Sequence, residues 1–141
     1  MVIDASVWVA ALLTHDAHHA EAAAFLNRLV EHNISAAAPL LALPEVAGAI
    51  ARQSNDTGAA ENAARFLAAQ AWVQFAPLNE ALTKEAATVA AGQRLRGADA
   101  VYVALSANDD GVLVTLDREM LKRAAPSATA MSPIDWLEHS L

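Results

Sequence analysis

Cysteine is absent from the 141 residues. That excludes disulfides, thiolate zinc sites and a cysteine nucleophile, and it agrees with the reducing cytoplasm. Glycine is scarce, five in all, while alanine is abundant; that balance favours tightly packed helices. A long hydrophobic run is missing too. The apolar start Val2–Leu13 contains Asp4, has no basic flank, and is too short to span a bilayer. The expectation is a soluble, unexported chain that meets no membrane. Positive charge is also in short supply: nine Lys and Arg stand against sixteen Asp and Glu, for a net charge of −7. Taken alone, that argues against a nucleic-acid ligand, since phosphate binding draws on clustered positive charge.

What is present suits one domain over residues 1–141. Apolar residues make up 55%, and a chain of this length buries roughly two-thirds of its unfolded surface, enough for a core without staples. Short apolar runs alternate with helical stretches. Val2-Ile3, Ile34–Ala38, Trp72–Phe75 and Val112–Val114 read as strands, and Ala128–Met131 as a final edge strand. Asp16–Glu31, Leu40–Arg52, Glu61–Gln70, Asn79–Gln93, Ala98–Ala107 and Arg118–Ala125 read as helices. Asn79 is placed to cap its helix. Gln53–Gly58 reads as a loop and Asn108–Gly111 as a turn. Strands separated by helices imply βαβ units and a parallel sheet covered on both faces, an α/β/α three-layer fold.

In such sheets ligands bind outside the carboxyl ends of the strands. Asp4 and Asp117 each follow an apolar strand and lead into a helix, so both belong at that edge. Glu45, after Pro44, and Asp99, within Arg-Gly-Ala-Asp-Ala-Val-Tyr, each stand near a helix start. Taken singly, each acid has a structural explanation as a cap or a first-turn charge. Together they are harder to explain that way. Asp4 and Asp99 have strongly apolar neighbours, where an unpaired carboxylate is costly. Two like charges 4 Å apart repel by about 4 kcal/mol at an effective dielectric of 20. A divalent cation relieves that repulsion, and oxygen-only ligands favour Mg2+ or Mn2+ over zinc. Setting the four acids against such cations leaves twelve acids and nine bases, or −3, which shrinks the charge objection.

The arrangement resembles the PIN-domain family, in particular the VapC-type toxins of toxin–antitoxin pairs. The residues that carry it are the opening strand ending in Asp4-Ala5-Ser6, the acid Glu45, the helix opening on Asp99-Ala100, and Thr115-Leu116-Asp117. The resemblance spans essentially the whole chain. It implies a PIN-like α/β/α fold and a Mg2+- or Mn2+-dependent endoribonuclease. Asp4, Glu45, Asp99 and Asp117 would be its catalytic and metal-binding acids, with Ser6 and Thr115 orienting ligands or water. The last acid varies within the family; Asp109 and Asp110 compete with Asp117 but precede their strand. The resemblance further implies an RNA substrate, a cognate antitoxin and commonly a homodimer.

Arg94, Arg96 and Arg118 flank the acids and are candidate phosphate contacts, against a plainer reading as solvated surface. Lys122 and Arg123 read as helix-end charges. His15, His18 and His19 carry no metalloprotease signature, and their segment reads as exposed helix. Trp8, Trp72 and Trp136 read as core or interface residues, not stacking platforms. Two rival functions remain. A phosphatase using an Asp nucleophile, as in haloacid dehalogenase-like enzymes, would need a second acid where Ser6 stands. A PIN-like module that binds RNA or protein without cutting is compatible with the acidic surface.

Overall fold

The computed structural model describes residues 1–140. Five parallel strands form one sheet: β1 (Val2–Ile3), β2 (Ala36–Pro39), β3 (Val73–Ala76), β4 (Val112–Val114) and β5 (Thr129–Met131), in the order β3-β2-β1-β4-β5. Eight helices accompany them among the described residues: α1 (Ala5–Leu12), α2 (His19–Glu31), α3 (Ala42–Ser54), α4 (Thr57–Ala68), α5 (Glu80–Gln93), α6 (Gly97–Asn108), α7 (Arg118–Arg123) and α8 (Pro133–His139).

The topology follows from handedness. From β1 the chain steps outward to β2 and then β3, so right-handed crossovers set α1 to α4 on one face. It then returns past β1 to β4 and β5, which sets α5, α6 and α7 on the other. The packing agrees. Helix α6 lies across β1, β2 and β4 with α5 against it, while α1 packs on α2 and α3, α3 on α4, and α2 on α8. The result is the expected three-layer α/β/α arrangement.

A sheet covered on both faces needs strands apolar throughout. Val2, Ile3, Leu113 and Val114 are fully buried. The helices add Val7, Trp8, Phe25, Leu29, Val46, Leu67, Tyr102 and Val103 to the same core. Two aromatic contacts tie the outer layer together: Trp8 tilts on Trp72 at 5.6 Å, and Phe25 meets Trp136 edge-on at 5.1 Å. The three tryptophans therefore serve packing.

Element ends differ from the pattern reading where side chains compete with the helix. Asp16 accepts from the His18 amide at 2.8 Å, a local turn that delays α2 to His19. The expected loop over Gln53–Gly58 shrinks to Asn55 and Asp56. Asn55 takes a left-handed conformation to end α3, and the Asp56 carboxylate caps α4 at the Ala59 amide. Asn79 caps α5 as expected, accepting from the Leu82 amide at 2.9 Å. Gly111 has φ 78° and receives the chain leaving α6, where a side chain would be strained. Its amide donates to Ser106 O at 2.9 Å and its carbonyl accepts from Thr129.

Candidate active site

The strand order reverses at β1 and β4, so a crevice opens beyond their carboxyl ends. Asp4 is the first residue past β1 and the N-cap of α1. Its amide donates to Val114 O at 3.0 Å, which continues the β1–β4 ladder and fixes its backbone. Thr115 leaves β4 beside it and is fully buried. Asp99 stands in the first turn of α6 and Glu45 in the first turn of α3. Asp117 caps α7, accepting from the Glu119 and Met120 amides at 2.8 and 2.9 Å. The structural explanation for each acid is thus real: all four sit at helix starts, where exposed amides favour negative charge.

It is also incomplete, because the same four acids line one open cavity of about 590 Å³. Asp4 Oδ2 takes three bonds: the Ser6 hydroxyl, the Ser6 amide at 3.3 Å and the Thr115 hydroxyl at 2.9 Å. Ser6 Oγ in turn accepts from the Leu116 amide at 3.1 Å, and Thr115 Oγ1 from the Asp117 amide at 3.0 Å. Ser6 and Thr115 therefore lock Asp4 in one orientation. Ser6 is spent on this network at the position where the phosphatase pattern requires a second acid.

On the other wall, Arg96 bridges two acids. Its Nε donates to Asp99 Oδ2 at 3.0 Å and its Nη2 to Asp117 Oδ2 at 3.2 Å. The Tyr102 hydroxyl donates to Glu45 Oε1 at 2.7 Å. Asp4 Oδ1, Glu45 Oε2 and Asp99 Oδ1 accept no side-chain or amide hydrogen bond among the described residues.

The electrostatics show the cost. Burial pushes the Asp4 carboxyl up to about 6, with Glu45 adding to the rise and the Ser6 and Thr115 hydroxyls opposing it. Burial also raises Glu45, opposed by the Tyr102 hydroxyl and reinforced by Asp99. Asp99 is raised by burial, opposed by Arg96 and reinforced by Asp117. Three carboxylates are thus destabilised in their charged forms, and one guanidinium offsets part of that.

The donor set is all oxygen and anionic, the chemistry of a hard divalent cation. Three of its oxygens lack a protein partner. As the side chains stand, however, no group of three or more His, Asp or Glu among the described residues is gathered closely enough to hold one ion. Arg96 stands between two of the acids, bonded to Asp99 and Asp117. The residue types fit a Mg2+ or Mn2+ ion; closing on it needs side-chain movement.

Of the expected flanking cations, only Arg96 lines the cavity. Arg94 ends α5 in a left-handed conformation, and its carbonyl accepts from Arg123 at 2.7 Å. Arg118 opens α7 but does not line the cavity. Asp109 and Asp110 lie at the opposite end of the sheet, paired with the N-terminal ammonium of Met1 at 2.6 and 2.9 Å. The histidines form no joint site: His18 meets Glu21 at 2.5 Å and His19 meets Ala10 O at 3.0 Å.

The cavity is also lined by Asp16, Arg52 and Gln53, none of them singled out from the sequence, and by His18, set aside there as exposed helix; Tyr102, bonded to Glu45, was likewise not singled out. Two had a signal in their spacing. Arg52 follows Glu45 by seven residues, two helical turns on one face. Tyr102 follows Asp99 by three, which also shares a face.

A model of the PIN domain matches residues 1–126, and the chain belongs to that family. Solved structures agree on the fold. The chain is similar to VapBC2 from Rickettsia felis, solved bound to a promoter DNA fragment, with 12% identity, TM-score 0.69, and 93% of this chain and 96% of that chain covered. It is similar to PAE2754 from Pyrobaculum aerophilum, with 22% identity, TM-score 0.69, and 98% and 86% covered. It is also similar to VapC20 from Mycobacterium tuberculosis, a toxin cleaving the sarcin-ricin loop, with 19% identity, TM-score 0.65, and 79% and 85% covered. No curated protein sequence matches the chain. No helix among the described residues is long and apolar enough to cross a membrane.

Proposed function

We propose that the protein is a metal-dependent endoribonuclease, the toxin of a type II toxin–antitoxin pair. The observation that carries this reading is the shared cavity: Asp4, Glu45, Asp99 and Asp117 come from four separate segments and line one space at the switch point of a PIN-domain sheet. The rise in the pKa of Asp4, Glu45 and Asp99 supports it, because perturbed carboxylates cluster where chemistry is done.

A bound Mg2+ or Mn2+ ion would supply Lewis acidity toward a phosphodiester and toward water. The chain's own residues do the rest. Asp4, Glu45 and Asp99 offer the partnerless oxygens that would hold the ion. Ser6 and Thr115 keep Asp4 fixed, so that little reorganisation is needed when charge arrives. Asp117 lines the same cavity, its Oδ2 accepting from Arg96. Arg96 is the phosphate contact this geometry favours; exchanging its carboxylate partners for a phosphate keeps it paired throughout. Water is the nucleophile in this scheme rather than the ribose 2′-hydroxyl, so products carry 5′-phosphate and 3′-hydroxyl ends.

The toxin role brings a cognate antitoxin, a homodimer and a cytoplasmic setting with it. The likeness to VapBC2 from Rickettsia felis and to a chain solved in a toxin–antitoxin complex from Klebsiella pneumoniae, at 16% identity and TM-score 0.63, supports that part of the proposal. The test is RNA cleavage by wild type, Asp4→Asn and Asp99→Asn with Mg2+, Mn2+ or EDTA. Cleavage that needs the metal and disappears in both variants is expected. Equal cutting by all three proteins removes the proposed site. Growth arrest on expression, relieved by Asp4→Asn, tests the toxin role in cells.

A second reading, a non-catalytic PIN-like module binding RNA or protein, is favoured by the spread of the carboxylates, no three of which are gathered closely enough for one ion among the described residues. It predicts binding without cleavage at any metal concentration.

A further inference from the structure

Tyr102 is the single tyrosine of the chain. It lies on α6 one turn after Asp99 and is fully buried, and its hydroxyl donates to Oε1 of Glu45, a residue that lines the cavity. A buried hydroxyl is retained in a core only where it has a partner, and a phenylalanine would fill the same space without needing one. Here the partner is a carboxylate lining the site. A phenol is protonated at neutral pH, so the hydroxyl is a donor to the carboxylate. It is therefore a donor to one acid of the site, contributed by the helix that carries another, Asp99.

Glu45 needs such a restraint. Its side chain has three rotatable bonds, and it comes from α3 on the opposite face of the sheet from α6. No basic residue hydrogen-bonds to it among the described residues. The Tyr102 bond ties Oε1 and leaves Oε2 as the oxygen without a partner. Asp4 is treated in the same way, with Oδ2 tied by Ser6 and Thr115 and Oδ1 left over.

We propose that Tyr102 is a positioning residue of this site: its hydroxyl, 2.7 Å from Glu45 Oε1, holds the Glu45 carboxylate so that Oε2 is presented to a divalent cation. The inference rests on the reading of Asp4, Glu45 and Asp99 as a cation site. Outer partners of metal ligands change metal affinity by roughly ten- to a hundred-fold when removed, and Tyr102 is expected to act in that range.

The single tyrosine supplies the readout. Wild-type protein labelled with carbon-13 at the tyrosine Cζ gives one resonance, which is expected to shift saturably with Mg2+ and to broaden with Mn2+. Tyr102→Phe, checked for native folding by near-ultraviolet circular dichroism, is expected to bind Mn2+ roughly ten-fold or more weakly in a titration of free Mn2+ by electron paramagnetic resonance. In a Glu45→Ala background the same substitution is expected to add no further loss, because the hydroxyl acts only through Glu45. The half-saturating Mg2+ for RNA cleavage should rise by the factor seen for Mn2+ in Tyr102→Phe. Unchanged Mn2+ affinity in Tyr102→Phe, or an equal loss with and without Glu45, overturns the proposal and leaves Tyr102 as packing. If wild type binds Mn2+ no more tightly than Asp4→Asn does, the cation site itself is refuted, a result distinct from failure of Tyr102 alone.

Discussion

The two ends of the sheet each gather acids, and they treat them in opposite ways. At the amino end, Asp109 and Asp110 face the Met1 ammonium at 2.6 and 2.9 Å, and Asp110 also accepts from the Val112 amide. Asp110 is held below the usual carboxylate range by those partners, against a burial that would raise it. At the carboxyl end, Asp4, Glu45 and Asp99 are all raised, with burial the largest cause each time. The amino-end cluster is complete as it stands. In the carboxyl-end cluster only one guanidinium, that of Arg96, is bonded to the four carboxylates among the described residues, and oxygens are left over. An acidic cluster marks a site when the fold buries its carboxylates without enough positive charge to offset the burial, as it does at the carboxyl end.

The sharpest way to break the comparison is to neutralise one acid at each end. Asp4→Asn should lower RNA cleavage by roughly 100-fold or more, read in a gel assay at saturating Mg2+. Asp109→Asn with Asp110→Asn should leave cleavage at the wild-type rate. If the amino-end pair matters as much as Asp4, the carboxyl-end assignment is wrong.

Stability against pH sharpens it further. The folded-state pKa of Asp4, about 6, lies above its unfolded value of 3.8. Its favourable contribution is therefore fully present below the unfolded value, falls between about pH 4 and 6, and is gone above that window. In EDTA, wild type should lose on the order of 3 kcal/mol relative to Asp4→Asn as pH rises from 4 to 7, measured by urea unfolding. Saturating Mn2+ at pH 7 should remove most of that difference. A flat difference across the window would show that Asp4 is not destabilised by burial.

Asp117 separates capping from chemistry. Asp117→Ala should cost about 1 kcal/mol of stability by loss of the α7 cap, whereas Asp117→Asn keeps an acceptor oxygen and should cost only a few tenths. Cleavage that follows charge, falling in both variants, would place Asp117 in the chemistry; cleavage that follows the cap would not. At the amino end, removing both aspartates should cost about 1 kcal/mol at most, because the pair is partly exposed. The smallest effect concerns Arg96. Its loss to Gln should lower the metal-free melting temperature slightly and enlarge the rise produced by Mn2+, since a bound ion then relieves repulsion that Arg96 no longer offsets.

Much of the fold was readable from pattern. Continuous apolar runs at Val2-Ile3 and Val112–Val114 became the central pair β1 and β4, because a strand buried on both faces leaves no polar alternation. Ends were less legible: Asp16 and Asn55 override helical periodicity with local turns that depend on side-chain geometry. For the site, alternation of strands and helices was enough to put Asp4 and Asp117 on one edge. Arg94 and Arg96 look equivalent in the sequence, two residues apart, yet only Arg96 reaches the cavity, because Arg94 ends α5.

The amino-acid sequence by itself determined most of the elements, though not α8, together with the sheet edge that carries the acids and the family, since periodicity and apolar runs are local and chain order is given. Tertiary structure alone decided that Glu45 shares a cavity with Asp4, that Tyr102 donates to Glu45 across 57 positions of chain, and that Met1 pairs with Asp109 and Asp110 across more than a hundred. Those pairings depend on which oxygen of a carboxylate is already satisfied and which is left over. That is fixed by the docking of helices on opposite faces of the sheet, and no local pattern encodes it.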